Sequence, residues 1–322
     1  MKVLVTGGRG LLGSAVIREV QAAGHECVVV QRNTSGVSGV QEYLDDLIAP
    51  RFSNDWMKGI GVVIHLAAKV GIVGSGAEFY ESNVRATRLL METAKSHGVQ
   101  RFIYASSPSV AHTGTPLIAA GASVADPGRV RGAYSQTKAQ AELDVLNAHS
   151  PDFQTIALRP HLVWGPGDTQ LIERVVSRAR AGKLFLIDGG YSLIDTTFVT
   201  NAASAFAQAI TATENAYGLA HMVTNGQPRT VRETLAQITN AAGLPAPTRS
   251  VPFRAAIAAG YAAEVLWKNR KDEPPLTSFL VEQLATAHWF DITRTKSLLN
   301  WDPVTSLDQG FAELAKWYSS SR

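Results

Sequence analysis

Cysteine is almost absent from this chain. Cys27 stands alone in 322 residues, so no internal disulfide can form, and its place in the apolar run CVVV reads as a small core side chain. A fold built without disulfides points to a reducing compartment. Long apolar runs are missing too: none approaches the ~18 residues that a membrane-spanning helix needs. The start, MKVLVTGG, reaches glycine too soon for the apolar stretch of a signal peptide. A cytoplasmic protein without a transmembrane span is expected. Nor is there a block of one charge. Thirty basic residues stand against 27 acidic ones, scattered along the chain, so nucleic acid is not an expected partner. Repeats and low-complexity tracts are lacking, and no metal is expected.

The 45% hydrophobic content supplies a sizeable core. In the first half, short β-branched runs alternate with amphipathic stretches: KVLVT (2–6), a helix over 11–23 that Gly24 closes, CVVVQR (27–32) and GVVIHLA (61–67). A helix over 83–97 follows, with Asn83 as its N-cap, then RFIYAS (101–106), a helix from about Tyr134 and QTIALRP (154–160). This alternation predicts an α/β fold with a doubly wound parallel sheet. From about Pro166 the rhythm becomes mostly helical, over 169–181, 201–213, 230–242, 253–268, 276–287 and 308–318. The expected organisation is a nucleotide-binding core of Rossmann type over 1–165 and an interwoven, mostly helical substrate lobe over 166–322.

VTGGRGLLG puts Gly7, Gly10 and Gly13 between the first strand and the first helix. Glycines there let the backbone turn tightly and approach a pyrophosphate, whose charge the free amides at the helix N-terminus favour. Downstream, AYSQTK places Tyr134 and Lys138 one helical turn apart, on one side of a helix. Tyr134 is the one tyrosine in the chain with lysine four residues on. By itself the pair is equally an ordinary polar helix face.

The GxxGxxG spacing after Thr6, HLAA at 65–68 and the Tyr134/Lys138 pair together resemble the extended short-chain dehydrogenase/reductase family, in order over roughly residues 1–210. The resemblance implies a catalytic trio of Ser107, Tyr134 and Lys138. Tyr134 would exchange a proton with the substrate oxygen, helped toward phenolate by a nearby Lys138 ammonium. Ser107 would hold that oxygen, while Ser106 bonds locally. It further implies cofactor contacts from Gly7, Arg9, Gly10, Leu12 and Gly13, from Asp46 and Leu47 at the adenine, and from Ala67 and Ala68. Tyr134, Lys138, Pro160, Leu162 and Val163 would complete the cofactor site, and Asn83 would support the active site. Where relatives that use NAD carry an acid after the second strand, VVVQRN offers Gln31 and Arg32. A guanidinium suits a 2′-phosphate, with Arg9 beside it, so NADP(H) is expected over NAD(H); otherwise Arg32 merely faces water.

Within the family, many sugar-nucleotide epimerases and dehydratases have asparagine where Leu162 stands and tyrosine where Trp164 stands. Their VYG after the serines is VAH here, which brings His112 toward the mouth of the site. The runs RPHLVWGPGDTQ and DTTFVTNAASAFAQAI resemble the 3β-hydroxysteroid dehydrogenases and, more closely, the bacterial 2-alkyl-3-oxoalkanoate reductases. That branch implies a ketone or secondary alcohol in a hydrophobic substrate, with His112, His161 and Trp164 on the substrate side. The apolar helix RAAIAAGYAAEVLWK has three readings: a packing helix, a lid over the substrate, or a surface anchor. Trp267, Lys268, Arg270 and Lys271 at its end allow peripheral membrane contact. A sugar-nucleotide epimerase or dehydratase is the enzymatic alternative. A non-catalytic NADP(H) sensor or scaffold is the other, against which the intact Ser107, Tyr134 and Lys138 speak. Relatives pair through the helices at Asn83 and Tyr134, so a homodimer is an expectation, although each helix equally just covers the sheet.

Overall fold

The computed structural model describes residues 1–48, 54–71, 74–267 and 276–320. In chain order the first strands are β1 (Lys2–Thr6), β2 (Glu26–Gln31), β3 (Gln41–Leu44), β4 (Val62–His65), β5 (Arg101–Ala105), β6 (Leu117–Ala120), β7 (Gln154–Pro160) and β8 (Val163–Trp164). After them come β9 (Leu186–Ile187), β10 (Leu193–Ile194), β11 (Thr197–Phe198), β12 (Ala220–Val223), β13 (Arg229–Thr230), β14 (Ser250–Val251) and β15 (His288–Phe290). The helices are α1 (Leu11–Ala22), α2 (Gly76–Tyr80), α3 (Ala86–Ser96), α4 (Ala133–Asn147), α5 (Ile172–Arg180) and α6 (Val199–Gln208). They continue with α7 (Val231–Ala241), α8 (Phe253–Trp267), α9 (Ser278–Ala285), α10 (Thr293–Leu299) and α11 (Leu307–Ser320).

Seven parallel strands form the main sheet in the order β12-β7-β5-β4-β1-β2-β3. Both faces of the central strands are covered, which is why these read as unbroken apolar runs, whereas the edge strand β3 is QEYL and partly exposed. Val3 and Val5 turn toward α1 and α6, while Leu4, Val28 and Val30 turn to the opposite core with Leu90 and Ala94 of α3 and Val145 of α4. The strand order reverses between β1 and β4, and in open α/β sheets ligands bind at the carboxyl ends beside that switch point.

Two features depart from the pattern read in the sequence. The second crossover helix begins at Ser75, whose Oγ accepts from the Glu78 N–H, and not at Asn83. Asn83 sits inside a π-helical turn over Glu81–Arg85, buried and engaged elsewhere. Beyond residue 165, α6 packs on α1, and β12 forms the edge of the main sheet next to β7. β12 escaped notice because His221 breaks its short apolar run; it is buried, its Nε2–H donating to the Ala216 carbonyl at 2.9 Å.

The remaining chain builds a lobe over the carboxyl ends of the sheet. A second sheet, β13-β10-β15-β6, joins α5, α7 and α11 around a core that includes Trp164, Val176, Leu235 and Phe311. Against it lies α9, and α8 covers α9. Gly260 of α8 packs so close to α9 that a Cβ there would stand 2.8 Å from the Ser278 nitrogen. This helix packs on α9 through the buried Ala256 and Gly260 and leaves Tyr261, Val265 and Leu266 exposed. Lys268, Arg270 and Lys271 lie outside the described residues. No helix among the described residues is long and apolar enough to cross a membrane.

Candidate active site

The glycine loop is shaped by close approach. Gly7 adopts φ +74°, and a Cβ on it would lie 2.8 Å from the Ala67 nitrogen; a Cβ on Gly13 would lie 2.1 Å from the Gly7 oxygen. Gly10 differs. A Cβ there would meet only the Gly7 oxygen at 3.8 Å, so protein packing does not demand glycine. Its bareness clears the space over the N-terminus of α1, which has no side-chain cap and no acid in its first turn. The exposed amides of that turn, near the half-buried Leu12, fit a pyrophosphate. Next to the loop, the Arg9 N–H donates to Gln31 Oε1 at 2.9 Å, which leaves the buried Gln31 Nε2 as a donor without a partner. Arg9 and Arg32 are exposed, and no carboxylate pairs with either among the described residues. Asp46 accepts the Ile48 N–H at 3.1 Å, and Leu47 packs half-buried against the core. The Ala67 N–H bonds Thr6 Oγ1 at 3.2 Å, with Ala68 half-buried beside it. The residues present therefore fit a dinucleotide.

Ser107 and Tyr134 meet at the end of β5. Ser107 Oγ accepts from both the N–H and the hydroxyl of Ser109, at 3.2 and 3.0 Å, so its own proton is free to be donated. Burial raises the Tyr134 phenol above its ordinary range, and the nearby Ser107 hydroxyl opposes this. Lys138, one turn on and 3% exposed, donates to the Ala105 carbonyl at 2.5 Å and stands 4.0 Å from the centre of the Tyr104 ring. Burial brings its ammonium down to about 7, against the pull of Glu142. Among the described residues no hydrogen bond joins Lys138 to Tyr134, and in the protein alone burial holds the phenol above its ordinary range. Ser106 differs as well. Its N–H bonds the Leu158 carbonyl at 2.7 Å, but its hydroxyl is buried without a partner.

A buried chain of hydrogen bonds ties the two halves of the site together. Thr6 Oγ1 lies 2.7 Å from His65 Nδ1, and His65 Nε2 lies 3.0 Å from Thr87 Oγ1, whose proton goes to the Asn83 carbonyl at 2.7 Å. These roles put the His65 proton on Nε2. Burial, with Lys138 nearby, lowers His65 to about 3. Asn83 accepts from the Lys69 N–H at 2.7 Å, and its amide donates to the Lys69 carbonyl at 3.1 Å and to Thr137 Oγ1 at 3.2 Å. It thus pins the loop after β4 to the first turns of α4.

Above Tyr134 and Ser107 opens a cavity of about 310 Å³. Its walls are largely apolar, from Leu171, Ile194, Val231, Leu235, Ile238 and Phe279 among others, and among the described residues no Lys, Arg, Asp or Glu lines it. Pro160, His161 and Leu162 reach it from the turn after β7, where Leu162 holds a left-handed φ of +43°. Val163 is paired to Thr197 in the small β8–β11 ladder. His161 Nδ1 bonds the Asp195 carbonyl, and burial with His288 beside it lowers the ring to about 3. His112 also lines the cavity; burial lowers it, while Glu282 and the Thr115 carbonyl act in the opposite sense. Trp164 does not belong to the lining. Its indole stacks on Phe311 at 4.4 Å and donates to Thr196 Oγ1, so it supports the wall from behind. Gln283 and His288, which do line the cavity, escaped the sequence reading: they lie some 150 residues from Tyr134 and carry no local motif.

The family model for the NAD dependent epimerase/dehydratase family matches residues 3–221. The chain is 36% identical to a 2-alkyl-3-oxoalkanoate reductase of Stenotrophomonas maltophilia (strain K279a), over 98% of each chain. It is 29% identical to the Bos taurus sterol-4-alpha-carboxylate 3-dehydrogenase, decarboxylating, over 94% of this chain and 88% of the relative. Among solved structures, MoeE5 in complex with UDP-glucuronic acid and NAD superposes with a TM-score of 0.75 at 26% identity, over 100% of both chains. With a dinucleotide loop at the switch point and a tyrosine at the floor of a cavity, the chain belongs to the NAD dependent epimerase/dehydratase family and is an NAD(P)-dependent oxidoreductase acting on CH–OH groups.

Proposed function

We propose that this oxidoreductase uses NADP(H) to interconvert a ketone and a secondary alcohol in an apolar substrate of the 3-oxo acid or 3β-hydroxysteroid kind. The cavity carries this reading: it is largely apolar, has no charged lining residue among the described residues and has Tyr134 and Ser107 at its floor. A sugar diphosphate would find no cation among those lining residues. The names of the two curated relatives share one feature, an oxygen at carbon 3 beside a carbon that bears a carboxylate. The bound nicotinamide supplies the hydride and, when oxidised, a positive charge beside the phenol. Tyr134 gives its proton to the carbonyl oxygen in reduction and takes it back in oxidation, while Ser107 donates a hydrogen bond to the same oxygen. Lys138 holds the ribose hydroxyls. Arg9 and Arg32 clasp the 2′-phosphate, Gly7, Gly10, Leu12 and Gly13 the pyrophosphate, and Asp46 and Leu47 the adenine. Ala67, Ala68, Pro160, Leu162 and Val163 line the rest of the cofactor's path, and the chain beyond residue 165 shapes the substrate cavity. NADPH oxidation should be measured across 3-oxo acids, steroid ketones and sugar nucleotides. Turnover in the first two groups is expected; turnover confined to sugar nucleotides overturns the reading.

A further inference from the structure

Behind the active site, outside the cavity lining, two opposite charges are buried together. Glu142 of α4 and Arg159 of β7 are each 1% exposed. Arg159 Nε donates to Glu142 Oε2 at 2.9 Å and Nη2 to Oε1 at 2.5 Å, so both carboxylate oxygens are held. Nη2 also donates to the Ser123 carbonyl at 2.8 Å. The neighbouring Ala141 and Val145 of α4 belong to the apolar core, and a buried ion pair seldom stabilises a fold more than apolar side chains of similar size would. Stability therefore does not account for the pair. Its place on the helix does: Tyr134, Lys138 and Glu142 follow at four-residue steps and share one stripe of α4. Lys138 is buried too, and among the described residues no carboxylate pairs with it; its Nζ donates to the Ala105 carbonyl. The other ionisable groups near it are neutral or already paired. Burial holds the Tyr104 and Tyr134 phenols protonated and His65 uncharged, while Asp144 of α4 is paired with Arg88 of α3 at 2.7 Å. Glu142 acts on the Lys138 ammonium through space.

We propose that Glu142, locked by Arg159, is a positioning residue that keeps Lys138 an ammonium without pairing with it. This rests on the role given to Lys138 above. A carboxylate bonded directly to Lys138 would cancel the field at the phenol and occupy N–H groups that the ribose takes. The Arg159 fork prevents that by holding both oxygens, and leaves one buried anion to serve two buried cations. Burial brings Lys138 down to about 7 with Glu142 acting upward, so without the carboxylate the ammonium is lost at lower pH. If Arg159 releases the carboxylate, the ammonium persists to higher pH.

The test is a fluorescence titration of the full-length protein with NADPH across the pH range. Wild-type affinity is expected to weaken as pH rises through the point at which Lys138 loses its proton, and Lys138→Met to lack that break. The 2′-phosphate of NADPH titrates alike with every variant, so the differences between variants are read. Glu142→Gln should move the break down by about one pH unit and weaken binding roughly tenfold just above neutrality, the effect of one nearby charge. Glu142→Asp, which keeps the charge, should restore the break. Arg159→Met should move it up, because Glu142 is then free to pair with Lys138. These opposite shifts separate the proposal from a purely structural tie, whose loss would weaken binding in both variants alike at every pH. Glu142→Leu combined with Arg159→Met removes the pair as a unit and spares the fold; it should move the break down, and it decides the matter if a single variant does not fold. A Lys138-dependent break that Glu142→Gln and the double variant leave in place overturns the proposal. If Lys138→Met keeps the wild-type break, the ribose role of Lys138 falls and this inference with it. Failure of the wild type to bind NADPH would sink the proposed function itself.

Discussion

Replacing Tyr134 by phenylalanine removes the proton donor and leaves the ring. Turnover is expected to fall by about 10² to 10⁴, the usual contribution of a positioned acid or base, with NADPH still bound. Steady-state rates beside a fluorescence titration check this; full carbonyl reduction by the variant would refute the role. At the other end of the cofactor, Arg32→Ala should lower the NADPH-to-NADH preference by roughly 10- to 100-fold, the worth of a charge-assisted hydrogen bond. An unchanged ratio of kcat/KM for the two cofactors would mean that Arg32 only faces water. The positions of both residues, though not their roles, were legible because each stands beside a motif with a fixed place on a strand end or helix start. The electrostatics of Tyr134 were not. The distance from its phenol to the lysine charge depends on where Ala105 and Tyr104 draw the Lys138 ammonium, and that is a matter of packing.

At the scale of elements, two contacts decide whether the site holds together. Asn83 joins the loop at Lys69 to α4, so Asn83→Leu strands the Lys69 backbone groups and Thr137, and should cost about 3 kcal/mol of stability in urea unfolding. A change below ~1 kcal/mol would show that water replaces these bonds. Gly260→Leu should push α8 off α9, whose Phe279 and Gln283 wall the cavity; KM for an apolar ketone is then expected to rise while kcat is held. Equal loss in kcat would place the damage elsewhere. The central strands up to Pro160 were readable because they are apolar along nearly their whole length, but the edge strand β3, QEYL and partly exposed, and the short β6 were not. Beyond Pro160 the lobe uses strands of two to four residues, too short to carry a period, so β10, β12 and β15 could be found only in the fold.

For the molecule as a whole, burial of neutral histidines sets the response to acid. His65 and His161 are lowered to about 3 and His221 to about 4, each chiefly by burial, from an ordinary 6.5. Between those values and 6.5 the unfolded chain binds protons that the native one refuses, so stability falls as pH falls through that window. Asp195, raised to about 6 by burial, acts the other way between 3.8 and 6, but it is one group against three. Thermal melts should therefore show a clearly lower Tm at pH 5 than at pH 7; a flat profile would mean that these rings are charged in the native state. The return of the chain to the core, through α6 and β12, has a different consequence. A chimera joined at residue 165 would carry away the edge strand of the cofactor sheet along with the substrate walls, while β6, which pairs with β15 under the cavity, would stay behind. Specificity in this protein cannot move by a single crossover: recombination must exchange several separate segments together, and divergence of substrate range is left to point substitutions around the cavity.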